Sequence, residues 1–281
     1  MLDLKAIETS SLRNKILDIE DNNTDPDTQF EFSPCTEREM MSCLKKLKNG
    51  KIDARGITSN IVKTLSITLS KYLTLVFNES IQNNLFPSNL KEGVIKPIAK
   101  GKEIKSEKDL RPITILPIEI IIISQINRFL VKECIIPDRC HGFRKFHSTE
   151  TLLLSLNEQC RIALNNNKIC FLLLFDFSKA FDQLDHGILI NKLHSYGFSK
   201  KSLLWILSYL RGRLVTTEYN GSISDPMEIS YGVPQGSVLG PLLFNIFSYE
   251  LKSVVKDSLT FQYADDTQIL VTIDVKDKHL I

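Results

Sequence analysis

Apolar residues recur at helical spacing through much of the first half of the chain. Ile61, Leu65, Leu69, Leu73 and Phe77 fall on one stripe and predict helix within residues 57–84. "TEREMMSCLKKL" (residues 36–47) opens with Thr and then Glu three residues on, a capping-box pattern ahead of Met40, Leu44 and Leu47. "GVIKPIAKGKE" predicts a short strand running into a basic loop. Further helices are expected at 118–134, after Pro117, at 149–166, with Thr149 near the start, and at 186–195 and 200–211.

The pattern changes at "ICFLLLFDFS" (residues 169–178), a continuous apolar run of strand length that ends in Asp176. Such a run fits a buried central strand with a carboxylate at its exit. Residues 213–230 hold a hairpin-like pair around "YNGSISDP", where Asn220-Gly221 signals a tight turn. "GVPQGSVLGP" is a Gly/Pro loop feeding an apolar helix that runs to about Val255. Two β-prone runs, "SLTFQYA" and "TQILVTI", are joined by Asp265 and Asp266, which predicts a hairpin with both acids at its tip.

A chain of 281 residues has room for one large domain or two smaller ones, and 43% hydrophobic with 24% charged residues is ordinary for a globular protein. The net charge of +2 hides an asymmetry. Residues 1–39 carry ten acids and four bases, and the remaining 242 residues carry 23 acids and 31 bases. The basic body suits a polyanionic partner, and the acidic Asn/Asp-rich start reads as a helix-like segment followed by a solvated linker. Six cysteines, at 35, 43, 134, 140, 160 and 170, form no C-x-x-C and have no neighbouring His to complete a zinc site. They read as free thiols in a reducing compartment. "MLDLKAIETS" has no signal-peptide pattern, and "ITILPIEIIIISQI" is too short for a membrane span and contains Pro117 and Glu119. The expectation is an intracellular protein of the nucleus or cytoplasm, not secreted and without a membrane partner.

Adjacent aspartates in a turn are usually only a solvated turn. Asp176 changes the picture, because three carboxylates converge at one sheet edge if the two strands are neighbours. Oxygen-only ligands favour Mg²⁺ or Mn²⁺ over zinc. Two such ions roughly 3.5–4 Å apart support in-line phosphoryl transfer.

"LLFDFSKAFDQLDH" (173–186), "GVPQGSVLGPLLFNIF" (232–247) and "YADDT" (263–267) stand in the order found in reverse transcriptases. "LRPITILP" (110–117), "HGFRKFHSTE" (141–150) and "YGFSKKSLLWILSYLRGR" (196–213) match further segments of that family, and the likeness runs from about residue 36 to 272. The chain resembles the reverse transcriptase domain of a jockey-like, non-LTR (LINE) retrotransposon.

The resemblance implies an α+β fold: right-hand, polymerase-like fingers and palm, with an antiparallel palm sheet backed by helices. An acidic segment would occupy 1–35, fingers 36–170 and palm 171–281, with an insertion around 213–236. After Ile273 only "DVKDKHLI" remains, so the thumb is expected to be missing. The implied activity is RNA-directed DNA polymerisation from an RNA template, a DNA primer and dNTPs, with two Mg²⁺ (or Mn²⁺) ions. Asp176, Asp265 and Asp266 take the places of the catalytic, metal-holding acids, with the carbonyl of Phe177 as a backbone ligand. Phe181 falls where the family has an aromatic steric gate against the ribose 2′-OH. Gln235 and Gly236 match the loop along the nascent base pair, and Lys100 and Arg111 the cations that hold the triphosphate. Phe146 departs from a position where a small or basic residue is common. The alternative is a catalytically inactive, truncated remnant that at most binds nucleic acid.

Overall fold

The computed structural model describes residues 11–19, 29–47, 58–95, 117–219, 221–234, 236–253, 255 and 257–276. A short helix α1 (Ser11–Leu17) precedes α2 (Glu37–Lys45), α3 (Ser59–Thr64), α4 (Ser66–Gln82) and strand β1 (Glu92–Ile95). Helix α5 (Pro117–Lys132), α6 (Thr149–Asn165) and strand β2 (Lys168–Phe175) follow, then α7 (His186–Ser195) and α8 (Lys200–Leu210). Strands β3 (Arg213–Tyr219), β4 (Ser222–Ile223) and β5 (Met227–Ile229) lead to α9 (Leu239–Ser248) and the hairpin β6 (Ser258–Tyr263) and β7 (Asp266–Asp274).

Local chemistry sets several helix starts. Thr36 accepts from Glu39 N while the Glu39 carboxylate accepts from Thr36 N, so the expected capping box opens α2. Asp185 caps α7 through Ile188 N at 2.8 Å. The predicted 57–84 helix is broken at Leu65, whose backbone is not helical (φ −88°, ψ 10°). The apolar helix expected to reach Val255 is α-helical only to Ser248 and tightens to a 3₁₀ turn over Tyr249–Ser253.

Two sheets organise the chain. In one, β1 pairs in parallel with β3, and β3 pairs antiparallel with β4 and β5. In the other, the order is β2-β7-β6, all antiparallel. The main core packs Trp205, Tyr209, Phe86, Phe198, Phe77 and Met40 among α2, α4, α5, α7, α8 and α9. A smaller cluster, Leu152, Leu156, Phe261 and Leu270, seats α6 on the β2-β7-β6 sheet. The mixture is α+β, with an antiparallel sheet backed by helices, as expected.

Two expectations need correction here. Phe30 and Phe32, inside the stretch read as a solvated linker, are buried in the main core, and Phe30 forms a parallel bridge with Phe198. Their aromatic burial outweighs the polar composition of the segment around them. Strand β2 is not a buried central strand. It has one strand neighbour among the described residues, β7, and Leu172, Leu173, Leu174 and Phe175 are all exposed. An apolar run reports affinity for an apolar surface, and not the strand's place in the sheet order.

Candidate functional site

The site grows from the β6-β7 hairpin. Tyr263 pairs with Asp266, so the two turn residues are Ala264 and Asp265, and Asp266 is already the first residue of β7. The expectation of both acids in the turn is therefore off by one residue. Ala264 holds φ +58°, the left-handed conformation that tight hairpin turns require at their first turn position. Gly142 explains how the turn is held: a Cβ there would lie 2.2 Å from Ala264 N. The segment before it adds a strand-like edge to β6, with His141 N donating to Gln262 O at 2.8 Å and Gln262 N to Arg139 O at 3.0 Å.

Register then places Asp176. Phe175 pairs with Thr267, so the residue after Phe175 leaves β2 at the level where Asp266 enters β7. Asp176, Asp265 and Asp266 thus share one end of one sheet, Asp265 half-buried and the other two exposed. Among the described residues, no group of three or more His, Cys, Asp or Glu side chains is gathered closely enough to hold a metal ion. What fits a hard divalent cation is the donor type, oxygen alone, and the convergence of the three backbones.

The loop after Asp176 is zipped to the Gly-Val-Pro-Gln-Gly loop. Val233 N donates to Phe181 O at 2.9 Å and Gly232 N to Leu184 O at 2.8 Å. Gly232 has φ +80°, and a Cβ there would sit 2.7 Å from Phe181 O, so both conformation and space demand glycine. The Phe181 ring stacks on Phe244, centroids 4.4 Å apart, and meets the half-exposed Phe143 ring edge-on at 6.1 Å. Phe177 is exposed on the loop directly after Asp176 and lines a cavity of about 540 Å³ with Ala180, Leu184, Phe244 and Phe247. Gly236 is exposed with φ +79°. Lys100, Arg111 and Gln235 lie outside the described residues.

Residues without a sequence-assigned role support the same loop. Glu119 of α5 is fully buried. Its Oε2 accepts from Val238 N at 2.6 Å and Leu239 N at 3.0 Å, and its Oε1 from Tyr209 OH at 2.8 Å. The carboxylate thus caps α9 where the loop enters it. Burial pushes its pKa up, against the pull of these hydrogen bonds and of Arg213. His186 Nε2 donates to Gly232 O at 2.8 Å while its buried Nδ1 has no partner among the described residues, and burial lowers the imidazole pKa. Asn245 of α9 donates to Gly142 O at 2.7 Å, tying α9 to the segment that packs on the hairpin. An acidic residue inside an otherwise apolar run was the one available signal for Glu119. For His186 no sequence signal existed, because its partner is a backbone carbonyl 46 residues away. Arg144 donates to the carbonyls of Pro137 and Cys140.

A strand-exit acid, an acidic hairpin tip on the neighbouring strand and a Gly/Pro loop locked to the loop after that acid stand together at one end of the sheet. The chain belongs to the reverse transcriptase (RNA-dependent DNA polymerase) family, whose sequence model matches residues 98–280. It is 32% identical over 247 residues to a probable RNA-directed DNA polymerase from transposon X-element of Drosophila melanogaster, covering 84% of this chain and 27% of that protein. It is 29% identical to the RNA-directed DNA polymerase from mobile element jockey of the same organism, covering 85% of this chain and 28% of that one. The chain therefore spans little more than a quarter of the length of these relatives, and the resemblance to jockey-like retrotransposon domains is borne out. A solved structure of apo telomerase from Candida tropicalis matches with a TM-score of 0.47 at 12% identity, covering 75% of this chain and 51% of that one.

Proposed function

We propose that this chain is the RNA-directed DNA polymerase portion of a retrotransposon protein, extending a DNA primer with dNTPs on an RNA template. The observation that carries the reading is the β2-β7-β6 register, which brings Asp176, Asp265 and Asp266 to one end of one sheet. Those three carboxylates and the Phe177 carbonyl would hold two Mg²⁺ or Mn²⁺ ions. Such ions, when bound, activate the primer hydroxyl and offset charge on the transferring phosphate. Phe181, whose ring stacks on Phe244, would act as the steric gate against a ribose 2′-OH. Gly236 leaves room for close backbone approach to the nascent pair beside Gln235. Lys100 and Arg111 would hold the triphosphate, Arg in bidentate fashion and Lys as a point charge.

Residues 36–170 are taken as fingers and 171–281 as palm, with 213–236 as an insertion between them. The parallel β1–β3 pairing supports that insertion, because it joins the two parts. All six cysteines are free, which supports an intracellular setting, in nucleus or cytoplasm. Among the described residues no helix is long and apolar enough to cross a membrane. The test is incorporation of dNTPs into a DNA primer on an RNA template by residues 1–281 with Mg²⁺ or Mn²⁺. Short extension products that vanish in Asp265→Asn are expected. No product, or product that survives Asp265→Asn, overturns the reading.

A further inference from the structure

Phe146 is 86% exposed, and its backbone holds φ +64°. A bulky residue at positive φ is a conformational outlier, and a large exposed ring gains nothing from burial in the fold. The turn that carries the ring is nonetheless braced. Arg144 Nη1 donates to Pro137 O and Cys140 O, His147 Nδ1 lies 3.0 Å from Lys145 O, and Ser148 caps α6 immediately after. The neighbouring His141 and His147 rings meet edge to face at 5.0 Å, and His141 Nδ1 lies 2.8 Å from Thr151 Oγ1. Lys145 places its Nζ 4.7 Å from the centre of the Phe146 ring. The result is an outward-facing aromatic surface with a cation over it, on a braced turn that also carries Arg144, whose hydrogen bonds go to neutral carbonyls.

The same turn is anchored at the acidic end of the sheet. Gly142 packs on Ala264 of the hairpin, and Phe143 meets Phe181. Phe146 lies four positions after Gly142, a span of at most about 14 Å, or about four stacked nucleotides. We infer that Phe146, with Lys145, is a stacking platform for an unpaired base of a single-stranded nucleic acid whose backbone passes the hairpin. Every base offers a π-face, so an aromatic ring beside a cation binds single strands without reading sequence. Charge complementarity selects this occupant: the turn from Arg139 to His147 carries Arg139, Arg144, Lys145 and two histidines, and no acid. The inference rests on the polymerase reading, for which the strand is the template, and adds a contact to it.

Because Phe146 is exposed, its substitution leaves the core untouched. Phe146→Trp supplies a reporter, since the native chain has one Trp, Trp205, and that one is buried. Fluorescence quenching is expected with a single-stranded RNA oligomer, and not with an abasic oligomer of equal phosphate number. Phe146→Ala should weaken binding about tenfold without changing the slope of log affinity against log salt. Lys145→Ala should reduce that slope by about 0.7. Equal quenching by the abasic strand, or unchanged affinity in Phe146→Ala, overturns the platform and leaves the polymerase reading standing. Failure of the unaltered chain to bind the oligomer at low salt overturns both.

Discussion

Asp176 leaves β2 at the same level as Asp266 enters β7, fixed by the pairing of Phe175 with Thr267. Both side chains are exposed, so neither is part of the packing that holds the fold. Asp176→Asn and Asp266→Asn should therefore shift unfolding free energy by no more than about 0.5 kcal/mol. Asp176→Asn should lower primer extension about a thousandfold, the scale of losing several kcal/mol of metal-supplied stabilisation. Urea unfolding and extension rates on the same preparations check the two expectations separately.

Gly142 and Gly232 are steric requirements of the site. Gly142→Ala drives a Cβ to 2.2 Å from Ala264 N, and Gly232→Ala to 2.7 Å from Phe181 O at a φ of +80°. Backbone must move in both cases. Each change should cost about 1–3 kcal/mol, measured by chemical denaturation. Gly221→Ala is the control, with φ +80° but open space around it, and should cost only the conformational part, about 1 kcal/mol.

Glu119 should be intolerant of truncation. Glu119→Ala leaves Val238 N, Leu239 N and Tyr209 OH without this acceptor, the last two in a buried place. The expected loss is about 3 kcal/mol or more. Glu119→Gln keeps one oxygen for the two amides and should recover most of it. Amide hydrogen exchange at Val238 and Leu239 locates the effect: fast in the Ala variant, slow in the Gln variant.

Acid should weaken the fold through His186. Burial lowers its pKa below the ordinary value of 6.5, and its donated bond to Gly232 O is made by the neutral ring. As pH falls through about 6.5 the unfolded chain takes up the proton first, so stability drops toward the folded pKa and levels off below it. His141, also lowered by burial, acts in the same direction. The urea midpoint should fall between pH 7.5 and pH 5.5. His186→Gln should flatten that dependence. An unchanged slope would show that His186 does not titrate in this way.

What was legible in the sequence was local or carried by ordered motifs. The Thr36–Glu39 box involves partners three residues apart, and the structure has it. The convergence of Asp176 with the hairpin was also legible, because motif order carries information that spacing lacks. Strand order was not: residues 172–175 are as apolar as a central strand and yet are exposed on an edge. The turn was misplaced by one residue because Ala264, and not an Asp or Gly, adopts the left-handed conformation. The turn packs against Gly142, more than a hundred residues earlier in the chain, a contact that local sequence does not reveal. Glu119 could be recognised as out of place in an apolar run, but its partners at 209, 238 and 239 belong to tertiary structure.

The most direct test of a two-ion acidic site at this sheet end is Mn²⁺ binding followed by electron paramagnetic resonance. Residues 1–281, with a primed RNA template and a dNTP matching the next template base, should take up two Mn²⁺ per chain above the amount bound by the nucleic acid and nucleotide alone. Asp176→Asn and Asp265→Asn should each lose this uptake while remaining folded by circular dichroism. Equal Mn²⁺ uptake by the unaltered chain and both variants would contradict the assignment of the site.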